Sequence, residues 1–176
     1  MTIKKMMMAA GAVDGPQVIA LSSNDWDYLG VMTASGNTLG DHTVGGSVGA
    51  VQNQEALSSL HTFDGDFVIA FDLTKRSHLA FGVHAIDEDD TRNNNDNCGM
   101  YSMTNSFWWG IDYSSAGAQA NIGGSGEGTI TPPAEGSAII IRRESGTITL
   151  EDDGSVIHTY SSTYSGIMRF AVANAA

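Results

Sequence analysis

The chain has 176 residues, with 8 Lys+Arg against 20 Asp+Glu and a formal net charge of −12. That length suits one domain with a real core, and 41% apolar residues with only 16% charged exclude a disordered chain. The shortage of cations excludes a sequence-independent grip on nucleic acid, which needs clustered Lys and Arg.

The chain starts with Lys4, Lys5, Met6, Met7 and Met8, then Ala9 to Val13. This has the outline of a signal peptide, but its apolar part is short and lacks leucine. Residues 1–15 are therefore read as an N-terminal docking arm and residues 16–176 as a single domain. Lys4 and Lys5 would pair with an acidic scaffold, and Met6, Met7 and Met8 would fill an apolar groove, methionine being suited to irregular contacts. A terminal strand completing its own sheet is the other reading of the same segment. No run approaches the roughly 20 apolar residues that span a bilayer, so no membrane insertion is expected.

Asp25 to Met32 reads as a strand, and Gly36 to Val51, rich in Gly and Thr, as loop or irregular edge. From Gly65 the chain becomes short strands between Gly, Asn, Asp and Ser turns. Gly65 to Asp72 places Phe67, Ile69 and Phe71 on one face at period two. Ser77 to Ile86 does the same with Leu79, Phe81, Val83 and Ala85 inward, and His78, Gly82 and His84 outward. Ser106 to Asp112 sets Phe107, Trp109 and Ile111 against Trp108 and Gly110. Ser137 to Arg143 and Thr147 to Leu150 are brief and β-branched. Gly154 to Tyr160 follows Asp153-Gly154, the clearest hairpin signal in the chain, and Gly166 to Ala173 closes the series with Met168, Phe170 and Val172 on one side. No window gives an amphipathic helix, so the pattern predicts an all-β fold, an antiparallel β-sandwich.

The run Ile139 to Leu150, then Asp153-Gly154 through Ile157 to Thr159, resembles the back half of a concanavalin A-like jelly roll, in which a strand, a Gly turn, a short "T-I-x-L" strand and a "D-G-x-x-I" hairpin recur in this order. Gly65 to Asp72, Phe81-Gly82-Val83 and Phe107 to Ile111 resemble its earlier strands, so the resemblance spans about residues 60–173. Separately, Lys4 to Gly11 is similar to the starts of small structural proteins in tailed phages of marine bacteria. This resemblance implies a virion protein displayed on the particle surface, a capsid decoration or fibre-type subunit.

Hydrolases of this fold carry a Glu-x-Asp-x-Glu strand whose alternate carboxylates enter one cleft. Here Asp87 to Asp90 and Glu151 to Asp153 are consecutive and sit at predicted turns. The five histidines are scattered, and no Gly-x-Ser-x-Gly elbow occurs. No enzyme is expected. The single cysteine, Cys98, excludes an intrachain disulfide framework and a Cys-based zinc site. Asp87, Asp89, Asp90 and Asp96 form the densest oxygen-ligand run, the donor type that calcium takes. EF-hand spacing fails there, because Arg92 stands where the loop needs Gly. The alternative is a solvated loop capped by its own Asx side chains, with no cofactor. Trp108, Tyr101, Tyr113 and Asn95 could form a glycan site, since a sugar offers C–H faces to an aromatic and hydroxyls to an amide. Alternating aromatics also suit a core, and one of Trp108 and Trp109 must be buried. The other, like Trp26, Tyr160 and Tyr164, could contact a partner subunit. The expected function is binding without catalysis at the virion surface, with other capsid or tail proteins and copies of itself as partners. The alternative is a lectin-like module for host-surface glycans, assisted by calcium.

Overall fold

In the computed structural model the described residues are 3–12, 15–20, 26–28, 33–35, 38–40, 55–73, 79–86, 104–111 and 118–174, with side chains described over 59–73, 80–86, 104–110 and 119–172. All regular structure among them is β. In chain order the strands are β1 (Ile3–Ala12), β2 (Gly15–Ala20), β3 (Trp26–Tyr28), β4 (Thr33–Ser35), β5 (Thr38–Gly40), β6 (Glu55–Phe63), β7 (Phe67–Leu73) and β8 (Leu79–Ala85). They continue as β9 (Ser106–Ile111), β10 (Ala118–Ile122), β11 (Ser125–Ile130), β12 (Ala138–Glu144), β13 (Thr147–Asp152), β14 (Ser155–Thr163) and β15 (Met168–Asn174).

Two antiparallel sheets form a sandwich. The first runs β14-β13-β12-β7-β1-β5-β4, with β2 also paired to β1, and the second runs β11-β10-β9-β8-β15-β6-β3. Crossovers carry the chain between sheets, so strands distant in sequence become neighbours: β7 lies between β1 and β12, and β15 between β6 and β8. Lys4 to Met8 lie in β1, whose register sets Met6 opposite Phe71 and Met8 opposite Ile69 on one edge. On its other edge β1 pairs with β2 along Met7 to Ala12 and with β5 at Ile3 and Lys4.

The period-two pattern sorts residues as the sequence indicates. Phe67, Ile69, Phe71 and Leu73 of β7, Ile139 and Ile141 of β12, and Ile148 and Leu150 of β13 face Phe81 and Val83 of β8, Phe107 and Trp109 of β9, and Met168, Phe170 and Val172 of β15. Burying each such side chain contributes roughly 1.5–3 kcal/mol. The aromatics interlock at the centre, with Phe71 edge-on to Phe81 at 4.9 Å and Phe81 tilted against Trp109 at the same separation.

Both β12–β13 and β13–β14 are joined by two-residue turns whose central residues lie at positive φ. These are Ser145 (50°) with Gly146 (81°), and Asp153 (46°) with Gly154 (79°), the signature of type I′ hairpins. Asp153 also accepts the Ala138 N–H at 2.9 Å and donates its own N–H to the Ala138 carbonyl, tying that hairpin to the start of β12. One boundary differs from the sequence reading. Glu151 and Asp152, expected in a turn, finish β13, and Glu151 is only 8% exposed because Arg142 on the adjacent strand donates Nε–H to it at 2.7 Å.

Candidate functional site

Of the glycan candidates, the described one is Trp108; Tyr101, Tyr113 and Asn95 lie outside the described residues, as do Asp87, Asp89, Asp90 and Asp96. Trp108 points away from the main core, on the outer face of the second sheet, as the alternation requires. Yet it is only 5% exposed, and its indole N–H is donated to the Gly123 carbonyl at 2.8 Å. Both neighbouring tryptophans are therefore buried, where the sequence required only one. The sheet makes room for the ring by using small residues: Trp108 packs with Ala80 and Ala171. A Cβ on Gly110 would lie 2.7 Å from Trp108 Cζ3, and one on Gly82 would collide with the Phe107 carbonyl and the Trp108 backbone. Tyr160, another candidate for a partner contact, is also buried, edge-on to Phe107 at 5.5 Å.

Register assembles two rows on this outer face. Gly82, Trp108 and Asn121 lie side by side on β8, β9 and β10. Beside them runs a polar row of Thr62, Arg169, His84 and Ser106, on β6, β15, β8 and β9. Directly opposed residues in an antiparallel pair hold their Cβ atoms about 4.5–5.5 Å apart, so these four side chains are contiguous. Ser106 is fully buried and His84 nearly so, with Nδ1 of His84 2.9 Å from the Ala85 carbonyl. Thr62 is exposed and Arg169 half-buried.

A second polar cluster closes one side of the sandwich, where the edge strands β11 and β14 approach. Glu127 of β11 accepts the Ser161 N–H at 2.7 Å and also its Oγ–H, and Nε2 of His158 is 3.6 Å from the same carboxylate. Burial alone would raise the Glu127 pKa, but the hydrogen bonds from Ser161 and the neighbouring His158 outweigh it and hold the carboxyl below its usual value. His158 stands edge-on to Tyr160 at 4.8 Å, and burial raises the Tyr160 phenol strongly. The Ser161 hydroxyl is committed to the carboxylate rather than to the imidazole, so the trio fastens two edges and is not arranged as nucleophile and base.

A third group is Arg143, 1% exposed. Its guanidinium donates to the Gly65 carbonyl from Nε and Nη2 and to the Gly166 carbonyl from Nη1 at 2.6 Å, and it lies 4.9 Å over the Phe67 ring. Burial lowers its pKa while Asp66 and Asp64 oppose the shift. Sequence reading missed Glu127, His158, Ser161, Arg143 and Arg169 as members of these clusters; a charged residue inside an otherwise β-branched run, as in Arg142-Arg143, was the available signal for one of them.

No family model matches the chain, and no curated protein matches it. Among solved structures it is similar to the TRIM65 PSpry domain, with a TM-score of 0.53 and 14% identity over 66% of this chain and 62% of that one. The chain thus spans less than two thirds of that domain, and the likeness is one of fold, a β-sandwich. It also matches the carbohydrate-binding module CBM66 from Bacillus subtilis, with a TM-score of 0.44 and 11% identity over 69% of this chain and 74% of that one. A further match is LamAcat from Zobellia galactanivorans, with a TM-score of 0.40 and 10% identity over 68% of this chain and 58% of that one.

Proposed function

We propose that this chain is a structural protein of a tailed-phage virion, a β-sandwich displayed on the particle surface that works by binding beside other capsid or tail proteins and copies of itself. One observation carries the reading: the side chains of Glu127, Arg143, Asp153 and Ser59 are all spent on the chain's own scaffold. Glu127 holds Ser161, Arg143 holds the Gly65 and Gly166 carbonyls, Asp153 holds Ala138, and Ser59 holds the Phe170 N–H. Such wiring suits a rigid display module. The acidic surface and the similarity of Lys4 to Gly11 to phage structural proteins support the same reading. The test is immunogold labelling of particles from lysates in which mass spectrometry detects the chain. Regular surface labelling is expected, and unlabelled particles would remove the proposal.

Attachment through Lys4, Lys5 and Met6 to Met8 is a separate proposal, to be weighed against their place in β1. A Lys4→Glu/Lys5→Glu variant separates the two roles. Folded protein missing from particles supports docking, and unchanged incorporation leaves β1 as a strand only.

The second reading is a glycan-binding module on the outer face of the second sheet. The specific observation favouring it is exposed Thr62 opposite half-buried Arg169 on that face. Trp108 and Asn121, 5% and 4% exposed, offer no surface to a sugar, so the expected aromatic platform at Trp108 is corrected to a packed side chain. Glycan-array binding with and without EDTA also tests the calcium assignment at Asp87, Asp89, Asp90 and Asp96: loss of specific binding with chelator is expected if calcium serves the site, and unchanged binding removes the metal.

A further inference from the structure

The polar row on the second sheet contains a cation that no described carboxylate pairs with. Arg169 projects to the outer face, because its neighbours Met168 and Phe170 are fully buried in the core. It is half-buried, its Nε is sealed from solvent, and that atom has no hydrogen-bond partner. Among the described residues no carboxylate pairs with it; the Arg–carboxylate ion pair there is Arg142 with Glu151. A guanidinium stays charged at any working pH, and holding it partly desolvated and unpaired is unfavourable. Arg143 shows how this chain treats a buried guanidinium when the purpose is structural: it saturates it with carbonyls. Arg169 is not so treated.

We infer that Arg169 is the anchor of an oxyanion-binding site on the outer face of the second sheet, taking the carboxylate or sulfate group of an acidic saccharide. With Nε sealed, the two Nη groups are the ones left to meet such a group through two parallel N–H donors. Thr62, directly opposite on β6 and exposed, supplies a hydroxyl at the open end of the row. His84 and Ser106 continue the row on the closed side as a buried polar wall. In a molecule of net charge −12 a free anion is repelled at long range, so recognition needs a local, desolvated cation, which salt screens less than the long-range field. The saccharide part of this assignment rests on the glycan reading of the same face; the oxyanion part does not.

The experiment is a thermal-unfolding titration of the whole chain with three probes: an oligogalacturonate, a neutral gluco-oligosaccharide of equal length, and inorganic sulfate. Each is run on the wild type, Arg169→Met and Arg169→Lys. For wild type, oligogalacturonate at about five times its Kd is expected to raise Tm by about 2–4 °C. Arg169→Met should lose this response while its ligand-free Tm stays equal or rises, since an unpaired half-buried charge has been removed. Arg169→Lys, which keeps the charge but not the fork, should respond more weakly. The Arg169→Met titration also subtracts the general stabilisation that sulfate gives any protein. A response to sulfate alone, lost in Arg169→Met, supports the oxyanion site and removes the saccharide reading. A response to the neutral oligosaccharide that persists in Arg169→Met supports the saccharide reading and overturns the Arg169 site. No Arg169-dependent response to either anion overturns the proposal outright.

Discussion

Arg143 and Ser59 show how single side chains stand in for backbone pairing where the strands fail to provide it. Arg143 reaches out of β12 to the turn before β7 and the loop before β15, and these carbonyls have no strand partner at that end of the sandwich. Replacing it with Met removes the donor that the Gly65 and Gly166 carbonyls share. At about 1.5–3 kcal/mol per hydrogen bond to a charged group, Arg143→Met should lose about 2–5 kcal/mol of stability, read as a lower urea midpoint at unchanged slope. Arg143→Lys should recover only part, since one ammonium cannot reproduce the fork. Ser59 sits where the β6–β15 register slips between Arg169 and Ala171. Its Oγ accepts the Phe170 N–H at 3.3 Å and donates to the His61 carbonyl at 2.8 Å, so one hydroxyl bridges the bulge. Ser59→Ala should therefore cost about 1–3 kcal/mol although it removes a single oxygen. A change below a few tenths in chemical denaturation would show that another group takes over the Phe170 N–H.

At the scale of elements, the decisive feature is how edge strands are managed. β14 is nine residues without a carboxylate, mostly Ser, Thr and apolar side chains beside His158 and Tyr160, and Val156 on it is 58% exposed. Such an edge invites pairing with another chain. Glu127 answers this from the opposite sheet by taking the outward Ser161 N–H, so a charged group occupies one rung of the open ladder. The carboxyl's folded pKa is depressed. Its stabilising contribution is therefore present above its unfolded value near 4.3 and is lost as pH falls through the lower folded value. Glu127→Gln should be less stable than wild type at pH 7 by about 1–2 kcal/mol, the range for charge-assisted hydrogen bonds partly replaced by neutral ones. The gap should close between about pH 5 and pH 3. Parallel unfolding curves of the two proteins across that interval, with no convergence, would show that the carboxylate does not act through its charge. Light scattering of the same samples reports the edge itself, because a released β14 should associate.

For the molecule as a whole, the sandwich was legible wherever strands bury one face and alternate strictly, as β7, β8, β9, β12 and β15 do. β10 and β11 were not legible, because β11 carries Ser125, Gly126 and Gly128 where a strand usually carries branched side chains, and pairing alone makes it a strand. Trp108 was placed on the correct face, but period-two reasoning says which way a side chain points and not whether that face is covered. The polar clusters were invisible for a different reason: Glu127 meets Ser161, and Arg169 meets Thr62 and His84, through sheet order that the sequence does not spell out. Net charge, by contrast, is a whole-chain property, and −12 on 176 residues has a consequence that local pairs cannot offset. One ion pair between an arginine and a carboxylate, Arg142 with Glu151, is formed among the described residues, and exposed pairs contribute at most about 1 kcal/mol each. Like-charge repulsion in the folded state extends over about 30 Å at 0.01 M salt and about 10 Å at 0.1 M. Repulsion should therefore dominate, and adding NaCl from 0.01 to 0.5 M should raise Tm by a few degrees, most steeply below 0.1 M. Chloride is not strongly excluded from protein surfaces, so the rise reports screening rather than the salting effect of sulfate. A Tm that falls over the same range in calorimetry would mean that attractive pairs outweigh the net charge, and it would place carboxylates and the chain's few cations in closer partnership than the described residues contain.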